Sequence, residues 1–153
     1  MEYIQLANPG DVFFSENFVF SDGTSGKKLL VLLNCPSPGD NCLFVKTTSQ
    51  QKKKPNTPGC IDEYHKVFHL PQKKDFFKEP TWVQLDDYFP FQQDHVNKKL
   101  KQCGCLQAQT ISSIISCFLK INDQDLSPKV KGMLISPVTQ GAMTLAEKFN
   151  RKK

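Results

Sequence analysis

Arginine is almost absent from this chain: of 20 basic residues only Arg151 is an arginine, so nearly every cation is a lysine. An ammonium holds a phosphate as a point charge and cannot make the forked contact of a guanidinium. Also missing is any apolar run near the roughly 18 residues needed to cross a bilayer. The N-terminus MEYIQLANPGD lacks the basic-then-apolar plan of a secretory leader. These absences point to a cytoplasmic protein with no membrane partner. In that setting Cys35, Cys42, Cys60, Cys103, Cys105 and Cys117 are expected to be free thiols rather than a disulfide framework.

What remains is a chain of 153 residues, 39% hydrophobic and 23% charged, which fits a globular fold with a sizeable core. The net charge is +5, and its distribution is uneven. Residues 1–26 carry four acids and no base, residues 27–78 carry ten lysines against four acids, and residues 79–96 again carry four acids and no base. A basic middle between acidic flanks suits a polyanion such as nucleic acid, through phosphate neutralisation and counterion release. The alternative is an ordinary solvated lysine surface.

The organising stretch is GKKLLVLLNCPSPGDNCLFVKTTSQ, residues 26–50. It predicts two buried strands, Leu29–Leu33 and Leu43–Thr47, because each is a short apolar run bounded by turn residues. Lys27, Lys28, Thr47, Thr48, Ser49 and Gln50 then fall at strand ends on one rim. Upstream, VFFSENFVF predicts a strand with a bulge at Ser15–Asn17 followed by a second short strand, and SDGTSG predicts a loop. Downstream, QKKKPNTPG, carrying Lys52, Lys53 and Lys54, is expected to be an exposed loop. A strand is expected at the end of CIDEYHKVFHL, another in TWVQL, and an edge segment at Phe89–Phe91 because of Pro90. Ile111, Ile114, Ile115 and Phe118 recur at helical spacing, so residues 107–121 should form an amphipathic helix packed across the sheet. His95 is read as part of a polar loop, GCLQ as a turn, and Ala142–Phe149 as a final helix before a basic end.

The motifs GDVFF, DGTSGKKLLVLLN, LFVKTTSQ, TWVQLDDYFPF and GCLQAQTISSIISCFLKI, in that order over most of residues 9–121, resemble the MazF/PemK (Kid) family of toxin endoribonucleases. The resemblance implies a mainly β (α+β) fold: a small, strongly curved SH3-like β-barrel with a C-terminal amphipathic helix over residues 1–122, and an extension over 123–153. It implies a homodimer that cuts single-stranded RNA with no cofactor or metal ion and is neutralised by an antitoxin protein. Aligned by strands, the family's basic residue falls on Lys27, with Lys28 adjacent, and its threonine on Thr48.

Cleavage of this kind transfers a 2′-hydroxyl to the adjacent phosphorus. It needs a proton acceptor, a proton donor and positive charge on the developing oxyanion. Lys27, Lys28 and Thr48 are therefore the catalytic candidates. Asp22, Ser49, Gln50, Lys52, Lys53, Lys54 and Trp82 are the RNA-binding candidates, with Asp22 also a candidate base and Phe18, Phe20, Tyr64 and Trp82 available for stacking. Trp82 equally fits a core position. Cys60, His65, His69, Cys103 and Cys105 can be assembled into a zinc set on paper, although Cys103-Gly104-Cys105 is not the usual CxxC spacing. The alternative function is a catalytically inactive SH3-like barrel that binds nucleic acid or a protein partner.

Overall fold

The computed structural model describes residues 7–49, 57–62, 66–71 and 76–134. Seven strands form one antiparallel sheet: β1 (Asp11–Val19), β2 (Ser25–Leu32), β3 (Cys42–Thr48), β4 (Gly59–Ile61), β5 (Val67–Leu70), β6 (Thr81–Phe91) and β7 (Leu100–Cys105). Three helices, α1 (Gln93–Lys99), α2 (Ala108–Asn122) and α3 (Pro128–Leu134), complete the described part. The strand order is β4-β5-β6-β3-β2-β1-β7. The fold is α+β, and among the described residues the two edges, β4 and β7, do not pair with each other, so the sheet is not closed.

The continuous apolar run in β2 exists because the sheet is covered on both faces. Val31 and Leu33 enter one core with Val12, Leu43, Val45, Val83 and Leu85, closed by Ile111, Ile114, Ile115 and Phe118 of α2. Leu30 and Leu32 point the other way, into a smaller core with Phe13, Phe18, Phe44, Val96 and Leu100. Strand alternation sends successive residues to opposite sides, so both parities must be apolar. Gly10, at φ +96°, lets α2 approach: a β-carbon there would lie 3.1 Å from Ile111. Asn122 fastens the far end of α2 by donating to Leu85 O at 2.8 Å. Leu126 and Leu134, beyond α2, are buried in the same core.

Several expectations change. VFFSENFVF is one strand, not two, with the register shift falling between Ser15 and Phe18 where the bulge was expected. TWVQL and Phe89–Phe91 likewise belong to a single strand, β6; its second half pairs only with β3, which leaves Pro90 without an N–H to satisfy on the open side. His95 lies in α1 rather than a loop, and Gly104 and Cys105 of the expected GCLQ turn lie in β7. Both were hidden because their apolar faces are narrow: α1 buries only Val96. The expected helix at residues 142–149, and Tyr64 and His65, lie outside the described residues.

The cysteine expectation is corrected most sharply. Cys60 of β4 and Cys117 of α2 form a disulfide, with their Cα atoms 5.6 Å apart. They are 57 residues apart in sequence, and only the packing of α2 over the β4 edge brings them together. Cys35, Cys42, Cys103 and Cys105 are free thiols. With its sulfur bonded to Cys117, Cys60 is not a thiolate ligand, and Cys103 and Cys105 stand on the opposite edge of the sheet. Among the described residues no group of three metal-ligating side chains converges.

Candidate nucleic-acid interface

The start of β2 lies beside the end of β3 because the two strands run antiparallel. Their ladder pairs include Leu30↔Lys46, and beyond that pair side chains continue the connection. Thr47 Oγ1 donates to Leu29 O at 2.9 Å, and Lys28 Nζ donates to Thr47 O at 3.0 Å. Lys27 and Lys28 therefore sit inside a strand whose first residue is Ser25, not in the loop before it. Thr48 is opposite Trp82, at the beginning of β6.

The segment leading into β6 closes this end of the sheet. Phe77 is buried in the larger core, and Phe76 packs against that core. A β-carbon on Gly104 of β7 would collide with the Phe76 ring. In the sheet β6 and β7 are separated by β3, β2 and β1, so the strands must curve strongly around Phe76. The result is a cleft of about 670 Å³ lined by Lys27, Lys28, Leu29, Thr47, Thr48 and Ser49 on the strand side. Phe76, Phe77, Lys78, Glu79 and Thr81 line its other side. Gly104→Ala is expected to push Phe76 into this cleft. Ligand affinity should fall several-fold, while a compensating Phe76→Leu restores it; isothermal titration on the two variants checks the pair.

Three lysines and one carboxylate, Glu79, line the cleft, so its field favours anions. Lys28 differs from the other two in being half-buried. Burial, and secondarily the charge of Lys46, holds its ammonium below the ordinary lysine pKa. An ammonium has three donors, and only one is engaged by Thr47 O, so Lys28 keeps donors for a ligand. The cleft is of the size that small ligands or one or two nucleotides occupy.

Of the residues singled out in the sequence, Lys27, Lys28, Thr48 and Ser49 meet in this cleft. Asp22 does not: it closes the Ser21–Thr24 turn, accepting from Thr24 N at 3.0 Å and Thr24 Oγ1 at 2.6 Å. Those bonds lower its carboxyl pKa, so it is a weaker base than an unbonded carboxylate. Trp82 is only 2% exposed and stacks on His69 with ring centroids 4.5 Å apart, so it presents no open face to a base. Gln50, Lys52, Lys53 and Lys54 lie outside the described residues. Sequence reading missed Phe76, Phe77, Lys78 and Glu79. The signal was present, two aromatics beside a lysine in a loop, but nothing local shows that this loop folds back over the sheet. No protein-family profile matches this sequence, and no curated protein matches it significantly.

Proposed function

We propose that the protein is a toxin-type endoribonuclease that holds single-stranded RNA in the Lys27–Lys28–Lys78 cleft and cleaves it without a metal ion. The observation that carries this reading is the meeting of three lysines, one carboxylate and two phenylalanines at the end of a curved sheet. Lys27 and Lys78 hold phosphates flanking the scissile one. Lys28 donates to its non-bridging oxygens as negative charge develops. Thr48 and Ser49 orient the same phosphate. The 2′-oxygen bonds to phosphorus as the bond to the 5′-oxygen breaks, leaving a 2′,3′-cyclic phosphate and a 5′-hydroxyl. Glu79 takes the 2′-hydroxyl proton, and an ammonium of the cleft supplies a proton to the leaving oxygen. Phe76, half-buried and braced edge-to-face by the buried Phe77, provides the apolar surface on which an unstacked base rests. The SH3-like barrel ancestry of the sheet, a homodimer, a cognate antitoxin and a cytoplasmic location belong to the same proposal.

The test is incubation of the purified protein with a long single-stranded RNA in EDTA. Discrete fragments ending in cyclic phosphate, lost in Lys28→Ala and Glu79→Gln, are the expected result. A second reading, binding without cleavage, draws support from the cations of the cleft: all three are lysines, and among the described residues there is no arginine to supply a forked contact. Folded protein that retards RNA but yields no fragments establishes that second reading in place of the first.

A further inference from the structure

Lys28 also belongs to a second charged group on the outer face of the sheet. Residues 28, 30 and 32 of β2 share that face, and Lys46, opposite Leu30, joins them from β3. Beneath the two lysines lie three phenylalanines in edge-to-face contact. Phe18 is 5.5 Å from Phe20 and 4.9 Å from Phe89, centroid to centroid. Lys28 Nζ stands 5.9 Å from the Phe20 ring centre, and Lys46 Nζ 5.8 Å from that of Phe89. Gly26 leaves room for this, since a β-carbon there would come within 3.1 Å of the Phe20 ring.

The rings attract the ammoniums but carry no net charge, so they position the cations without neutralising them. Among the described residues the ion pairs are Lys98–Asp94, Lys120–Asp62 and Lys131–Asp123, none involving Lys28 or Lys46. Two like charges held on a shared aromatic base repel each other, and an anion placed between them removes that repulsion. The charge of Lys46 is felt at Lys28, where it adds to burial in favouring the neutral amine.

We propose that Lys28 and Lys46, seated on Phe20 and Phe89, form a second phosphate site, so that a bound RNA runs out of the cleft and across the outer face through Lys28. This rests on the reading of the cleft as an RNA site and adds the direction in which the strand leaves it. Lys46 binds backbone only, so it contributes affinity without base preference.

The experiment measures binding of a fluorescent ten-residue oligouridylate across a salt series. One single-strand phosphate contact accounts for about 0.7 in the slope of log affinity against log salt. Lys46→Gln is expected to lower the slope by that amount and to weaken binding about fivefold. Lys46→Arg should restore both, and Lys98→Gln, on the far side of an ion pair with Asp94, should change neither. A second readout needs no variant: acetylation of the wild-type lysines, mapped by peptide mass spectrometry, should be suppressed at both Lys28 and Lys46 by the oligouridylate. Protection of Lys28 without Lys46, or an unchanged slope in Lys46→Gln, overturns the second site and leaves the cleft reading standing. A wild-type protein that binds no oligouridylate overturns both.

Discussion

Replacing Lys28 with methionine should lower RNA cleavage by about 10²- to 10³-fold, the usual cost of removing one donor aimed at a developing oxyanion. Methionine keeps the apolar stem, so the variant should fold; its melting temperature should stay close to that of wild type. The lowered ammonium pKa of Lys28 adds a pH signature. A depressed lysine pKa means the folded state sheds its proton at lower pH than the unfolded chain does. Below the folded value, burying the charged form opposes folding, and that opposition fades as pH rises from the folded value towards the ordinary one. RNA acts in the opposite direction, because phosphate stabilises the ammonium and raises its pKa again. Affinity should therefore fall as pH climbs through the free protein's Lys28 value, in a range where an ordinary lysine is still charged. Binding isotherms from pH 7 to pH 10 for wild type and Lys28→Met check this. The slope of affinity with pH should flatten in the variant; an equal slope in both would remove Lys28 from the binding step.

Reduction of the Cys60–Cys117 bridge should be the largest stability change available without altering the core. The bridge joins positions 57 apart in sequence. Chain-entropy reasoning assigns a closed loop of that length about 4 kcal/mol, which is an upper value because strain and residual structure subtract from it. For a domain of this size each kilocalorie moves the melting temperature by a few degrees, so reduction should lower it by about 10 °C. A Cys60→Ser/Cys117→Ser double variant should melt at the reduced protein's temperature and ignore added phosphine. Cys42 does not confuse the result: it is buried, with its thiol pKa pushed up to about 11 by that burial. Identical melting curves with and without reductant would show that the bridge does not constrain the unfolded chain. The bridge also overturns the expectation of six free thiols that was drawn from a cytoplasmic setting.

The strands of the central stretch were legible because their information is local. Leu29–Leu33 and Leu43–Thr47 are short apolar runs between turn residues, and the observed β2 and β3 contain nearly all of them. The spacing of Ile111, Ile114, Ile115 and Phe118 placed α2 within one residue at each end. The bulge at Ser15–Asn17 was legible for the same reason, a polar break inside an apolar strand. α1 and β7 were not, since a helix that buries one valine and an edge strand whose inward positions are Leu100, Gln102 and Gly104 leave almost no apolar periodicity.

By itself, then, the sequence determined the strands of the central stretch, the helix that covers them, and that Lys27, Lys28, Thr48 and Ser49 share one rim. It determined these because strand alternation, helical spacing and turn chemistry are written within a dozen residues. Tertiary structure alone decided that Phe76, Phe77, Lys78 and Glu79 line the cleft beside Lys27 and Lys28. It also decided that Trp82 is buried on His69, that Cys60 meets Cys117, and that Lys46 joins Lys28 over a row of phenylalanines. Each of those facts depends on how far the sheet bends and where a loop or helix lands on it. That curvature is set by packing between residues far apart in the chain, and no local pattern encodes it.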